Sequence, residues 1–374
     1  MITNRLFFID AVRAFAILMM LQGHFIDTLL DVNYRDSAHP VFKMWEYFRG
    51  ITAPTFFTIS GFIFSYLLIK AKHKGSVAKR IKKGVLRGLM LIAIGYLLRA
   101  PIFDWFIGCF NTRFFIIDVL QCIGLSLICI VIIYTLCFKK TLLFSVLMLV
   151  LGLFIFITAP AYKDIDFSGI PLIFSNYLTK ANGSVFTIIP WFGYVAFGAF
   201  MSTLFYRYLK YPRFKTLLIS GFILTGYVLI YHSSWLLMRL YDGTDIVLFK
   251  DVAYYNYLFT RLGNVLIILA LFYMAEKYIK QPMILRIGQK TLSIYVIHFI
   301  IIYGSFTGLG LHQLIGKTLV PWQAILGALL FLTTVCFISF YYTKTNRYVY
   351  SRIRLIADSI FKKEKNDSNS KPKK

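Results

Sequence analysis

Ten long apolar runs divide this chain, each close to the length that crosses a bilayer as a helix. Such a helix needs roughly 20 mostly apolar residues, because hydrocarbon cannot hydrogen-bond to an exposed backbone. The runs fall at about 8–30, 47–69, 85–100, 115–137, 141–159, 188–205, 215–235, 259–276, 290–308 and 320–343; the third is the shortest. Of the 374 residues 58% are hydrophobic, above the roughly half usual in soluble chains, and the excess is concentrated in these runs. The pattern predicts an all-α polytopic membrane domain over residues 1–345 with about ten transmembrane helices. A basic tail follows over 346–374, its polar end expected to be disordered and to lie against anionic lipid.

The formal charge of +25 would suggest nucleic-acid binding on a soluble chain. Here the charges lie between the apolar runs, so membrane orientation accounts for them and nucleic acid is not an expected partner. With ten spans, 29 Lys and Arg residues fall on one side and 11 on the other. The richer side takes Arg5, the loop from Lys70 to Lys83, and the ten basic residues from Lys344 to Lys374. Excess Lys and Arg marks the cytoplasm, so both termini are expected there, in a multi-pass protein of the plasma or inner membrane. The first run is too long, and lacks the small-residue site, for a cleaved signal peptide. No internal repeat is visible, so an inverted-repeat transporter has no support. Cys109, Cys122, Cys129, Cys137 and Cys336 include no CxxC pair and read as small buried apolar residues rather than a disulfide or metal framework. No metal is expected.

Ionisable groups inside a spanning helix are costly and usually functional. The first run carries four: Asp10, Arg13, His24 and Asp27. At about 100° per residue they fall within roughly 100° around the helix axis, and Arg13 and His24 are separated by three turns, or roughly 16 Å. As single residues, Arg13 reads equally well as an anchor snorkelling to headgroups and His24 as a packed polar residue bonded to a neighbouring helix. Four groups on one stripe favour a functional face. The second run, Gly50-Ile51-Thr52-Ala53-Pro54-Thr55-Phe56-Phe57-Thr58-Ile59-Ser60-Gly61, has the small and hydroxyl residues of a close helix crossing and a proline able to kink it. Asp118 and Gln121 stand near an outer helix end, where they either line a cavity or meet headgroups. His298 lies within the ninth run; His73, His232 and His312 receive no role. No P-loop, GxGxxG, HExxH or GxSxG occurs, so ATP hydrolysis and zinc peptidase chemistry have no positive support.

Ile9-Asp10-Ala11-Val12-Arg13-Ala14-Phe15-Ala16-Ile17-Leu18, ending at His24, resembles the first helix of the transmembrane acyltransferase superfamily. That superfamily includes the acyltransferase-3 and heparan-α-glucosaminide N-acetyltransferase-like proteins. The acyltransferase-3 signature is an arginine and a histidine separated by ten intervening residues, matched by Arg13 and His24. Thr58-Ile59-Ser60-Gly61-Phe62 resembles the helix that follows. Asp118-Val119-Leu120-Gln121-Cys122-Ile123-Gly124 and Pro190-Trp191-Phe192-Gly193-Tyr194 resemble segments of the N-acetyltransferase-like branch. Ile287-Gly288-Gln289-Lys290-Thr291-Leu292-Ser293-Ile294-Tyr295-Val296-Ile297-His298 resembles a late helix of both. In the heparan branch the active histidine lies in the loop before the second helix, where this chain has His39; His24 is the first choice and His39 the second.

The resemblance implies transfer of an acyl group, acetyl foremost, from cytoplasmic acyl-CoA to a sugar of an envelope or exported glycan, as O- or N-acylation. Arg13, beside Asp10, would bind phosphate or pantetheine oxygens with its planar fork. Lys79, Arg80, Lys82, Lys83 and Arg87 would draw in the nucleotide phosphates, although topology alone accounts equally well for that basic loop. His24 would act as general base or acyl carrier, with Asp27 one turn away to fix its tautomer. The acceptor would enter past Asp118 and Gln121. A transporter or flippase would also carry intramembrane charges, but would not need this Arg–His spacing; a catalytically silent membrane sensor is a third reading. For topology, cysteines placed near Lys163 and Lys250 are expected to react with an impermeant maleimide added to intact cells, and one at Lys79 to stay unlabelled. Labelling at Lys79 would reverse the orientation.

Overall fold

The computed structural model describes residues 6–163 and 165–342, and helices dominate it. In chain order they are α1 (Phe7–Leu29), α2 (Pro40–His73), α3 (Val77–Arg99), α4 (Ile102–Phe106), α5 (Val119–Leu136), α6 (Thr141–Lys163), α7 (Leu172–Leu178) and α8 (Ile188–Tyr208). They continue as α9 (Phe214–Tyr231), α10 (Ser233–Thr244), α11 (Val247–Tyr254), α12 (Tyr257–Met274), α13 (Pro282–Gln289), α14 (Thr291–Tyr303), α15 (Leu311–Leu314) and α16 (Pro321–Tyr342). The expected tail over 346–374, Arg5 and the last residue of the tenth run lie outside the described residues.

Eight of these helices are long and apolar enough to span a membrane: α1, α2, α5, α6, α8, α9, α12 and α16. The ninth expected span, 290–308, falls on α14 and the turn after it, and it meets the preceding α13 at 70°. The third expected span, 85–100, is the outer part of α3, a 23-residue helix whose first turns carry Lys79, Arg80, Lys82, Lys83 and Arg87. Those charges keep α3 out of the set that passes on apolarity, so the count is eight or nine rather than ten. The protein is an all-α polytopic membrane protein. Between the long helices, α4, α7, α10, α11 and α15 fill loops that the apolar pattern left unassigned.

Lipid tails are as apolar as leucine, so helices in a bilayer associate through close packing and internal polar bonds rather than a hydrophobic force. Glycines supply the close packing. A β-carbon on Gly61 of α2 would collide with the Val195 carbonyl of α8, and one on Gly198 with the Thr58 carbonyl. The helices α3 and α5 meet at Gly88 and Gly124, where added β-carbons would lie 2.7 and 2.6 Å from the opposite carbonyl oxygens. Hydroxyls turn inward to their own helices, as Thr55 donating to Ile51 O and Ser60 to Phe56 O, both at 2.8 Å. Helix α2 continues through Pro54 and is 34 residues long, about 51 Å against a hydrocarbon thickness of ~30 Å. Its first turns therefore extend past the apolar layer, with Val41, Met44 and Tyr47 exposed. Helix α1 runs inside the bundle, in contact with α2, α12, α13 and α14. Cys122, Cys137 and Cys336 are buried as expected and Cys129 half-buried; Cys109 instead is exposed in a loop.

Gly61→Ala and Gly198→Ala should each lower the thermal stability of the detergent-solubilised protein, by about 1–3 kcal/mol for a methyl forced into a filled crossing. Gly221→Ala is the control: nothing lies within 4 Å of its added β-carbon, so stability should hold or rise by up to ~1 kcal/mol from helix propensity.

Candidate active site between two cavities

The polar stripe of α1 meets two cavities at opposite ends of the bundle. Near its start, Arg13 Nη1 lies 3.6 Å from Asp10 Oδ1, and Arg13 Nη2 donates to Thr291 Oγ1 at 2.9 Å. Arg13 borders a cavity of about 320 Å³ with Ser60, Arg80, Lys83, Arg87 and Thr291; its apolar wall includes Leu91, Leu120 and Phe56. The Arg80 guanidinium stands 6.0 Å from the Phe64 ring centre, and its buried Nε has no hydrogen-bond partner among the described residues. Asp10 braces Arg13 and does not border the cavity; nor do Lys79 and Lys82.

Three turns along α1, His24 borders a second cavity of about 350 Å³, together with Asp27, Arg49, Asp118, Lys180 and Trp191. His24 Nδ1 lies 2.8 Å from the Tyr303 hydroxyl. Its ring centre is 5.3 Å from that of His298, which is fully buried, with neither ring nitrogen in a well-formed hydrogen bond among the described residues. Thr291 and Tyr303 are the first and last residues of α14. They are twelve positions apart, and their partners on α1 eleven. The two helices thus run alongside in the same direction, and α14 pins both polar groups of α1. Gly304, at φ 78°, ends α14 directly after Tyr303, a left-handed stop that suits glycine.

The hydrogen bond expected from Asp27 to His24 is made by Tyr303 instead. The Asp27 carboxylate pairs with Arg49 on the incoming α2. Arg35 donates to the Asp27 and Leu30 carbonyls at 2.7 and 2.6 Å, closing the end of α1, where carbonyls lack helical partners. Of the two options for Asp118, the cavity is the one found. Its carboxylate accepts from Val119 N–H at 2.8 Å, its own N–H donates to Gln121 Oε1 at 3.2 Å, and Arg99 Nη2 donates to it at 2.8 Å. Gln121 itself is buried. His39 is exposed at the start of α2 and borders neither cavity.

Tyr303, Arg49, Arg99, Lys180 and Trp191 carried no sequence signal tying them to His24. Four of them stood out only as outer-side charges or as part of a resemblance segment. Tyr303 lay unmarked in the ninth run.

An inward-facing polar stripe, pinned by a neighbouring helix and opening on a basic cavity at one end and a mixed-charge cavity at the other, defines a polytopic membrane protein with polar cavities in its helix bundle. Residues 5–239 match the family model described as heparan-alpha-glucosaminide N-acetyltransferase, catalytic. The chain belongs to this acetyltransferase family. No curated protein matches it. The match includes Arg13, His24 and the α2, α3 and α5 walls; α14 lies beyond it.

The Arg99–Asp118 pair tests the outer wall. Arg99→Leu is expected to lower unfolding stability in detergent by about 1.5–3 kcal/mol, the usual value of a hydrogen bond to a charged group. Adding Asp118→Asn should then cost less than it does alone. A double-mutant cycle reads the coupling, and strictly additive effects would show that the pair is not made.

Proposed function

We propose that this protein transfers an acyl group, acetyl foremost, from acyl-CoA entering at the basic end to a hydroxyl or amine of a glycan sugar presented at the opposite end. The observation that carries this reading is that Arg13 and His24 sit on one helix, each bordering a different cavity, with the family match beside it. The Lys and Arg excess supports a cytoplasmic position for the basic end, in the plasma or inner membrane.

The basic cavity suits an acyl-CoA donor. Arg80, Lys83 and Arg87 stand at its side, where cations raise the local concentration of a polyphosphate. The buried Arg80 Nε offers a donor that no group among the described residues uses, and Arg13 presents a fork deeper in. At His24 the Tyr303 hydroxyl can accept the Nδ1–H, which leaves the Nε2 lone pair as base. His24 takes the proton of the acceptor hydroxyl or amine, the acceptor atom bonds to the thioester carbonyl carbon, and the C–S bond breaks. Coenzyme A leaves as the thiolate and takes up a proton. Asp27, held by Arg49, then serves as wall and hydrogen-bond acceptor for the sugar rather than as the orienting group of His24.

Membranes carrying each variant, supplied with labelled acetyl-CoA, test the assignment. His24→Ala should lose at least the 10²- to 10⁴-fold typical of a general base, while acetyl-CoA binding persists. His24→Asn keeps the polarity but cannot take a proton, so it should be nearly as inactive; His39→Ala should stay active. Arg13→Ala should weaken acetyl-CoA binding. An inactive His39→Ala beside an active His24→Asn would move the active histidine to the loop.

A further inference from the structure

Among the described residues, Phe56 is the one residue that borders both cavities. Its neighbour Phe57 is fully buried and packed on Trp191 and Phe186, with ring centres 5.0 and 5.6 Å away. Phe56 is only half-buried, and among the described residues no aromatic ring packs on it. The residue shared by the two cavities is therefore the less constrained of the pair.

Two polar cavities entering a membrane protein from opposite ends would form a continuous aqueous path if nothing divided them, and an apolar constriction closes such a path by excluding water. A thioester held by the basic cavity presents its acyl group at the leading end, so the acyl group meets Phe56 before the carbonyl carbon comes within reach of His24. We propose that the Phe56 ring is the partition between the two cavities and that its bulk sets how long an acyl group can reach His24. The second clause rests on the acyl-transfer reading; the first does not. The chemistry at His24 is unchanged by it.

The full-length protein reconstituted in liposomes, with release of free coenzyme A measured for acetyl-CoA and butyryl-CoA in the presence of glucosamine, provides the test. Butyryl adds two methylenes, and one methylene changes discrimination in an apolar pocket by about 10- to 200-fold. Phe56→Ala is expected to raise the butyryl-to-acetyl rate ratio by about tenfold or more, and Phe56→Leu by less. Phe56→Trp should lower transfer from both donors while acetyl-CoA binding stays as in the wild type. An unchanged ratio in both Phe56→Ala and Phe56→Leu overturns the proposal. A wild-type protein that releases no coenzyme A counts against the acyl-transfer reading, and the partition is then read from an imposed proton gradient followed with a trapped pH dye. Faster discharge through Phe56→Ala than through the wild type supports the partition; equal rates overturn it.

Discussion

Hydrocarbon offers no hydrogen-bond partner, so an arginine and a histidine three turns apart on a central helix require partners from the protein itself. Helix α14 supplies both, Thr291 to Arg13 and Tyr303 to His24. Much of the surrounding architecture serves that arrangement. The chain breaks by 70° between α13 and α14, so that Thr291 begins a fresh helix at the depth of Arg13. Gly288, just before the break, lets α13 come so close to α1 that a β-carbon there would collide with the Asp10 carbonyl. Gly304 ends the helix at the depth of His24. A helix of 13 residues is thereby fitted between two fixed polar contacts.

The remaining intramembrane charges are sorted into pairs across helix boundaries: Asp27 with Arg49 and Asp118 with Arg99. The first pair joins α1 to α2 and the second joins the end of α3 to the start of α5, both near the end of the bundle opposite the basic loop. Pairing lowers the cost of holding charge at depth, though desolvation keeps such pairs from being strong net stabilisers. It also fixes the walls of the second cavity. Among the described residues, each cavity lining keeps an unpartnered buried donor, the Nε of Arg80 in one and the Nε1 of Trp191 in the other. The family model matches the region that builds these walls, whereas the α14 partners stand outside it.

The segments that are helical and membrane-crossing, the four-residue polar stripe on α1, and the basic loop after α2 were legible in the residues, because each depends on local composition and a 3.6-residue period. Arg13, Arg80, Lys83 and Arg87 were joined as a donor set only by the family resemblance, and they do share a cavity. Other features were not legible. The short helices between spans have no apolar run to mark them. Asp27 looked like the partner of His24 because one helical turn separates them. The choice between Tyr303 and Asp27 depended on a contact 279 residues away in sequence and on the pairing of Asp27 with Arg49. Phe56 is one of 37 phenylalanines, and nothing in its flanking residues distinguishes it from Phe57. Local chemistry determines which residues enter the membrane and which face of a helix is polar. Only the packing of α2, α5 and α14 around α1 decides which polar atom finds which partner and which ring stands between two cavities, because those are distances between segments that the chain order does not set.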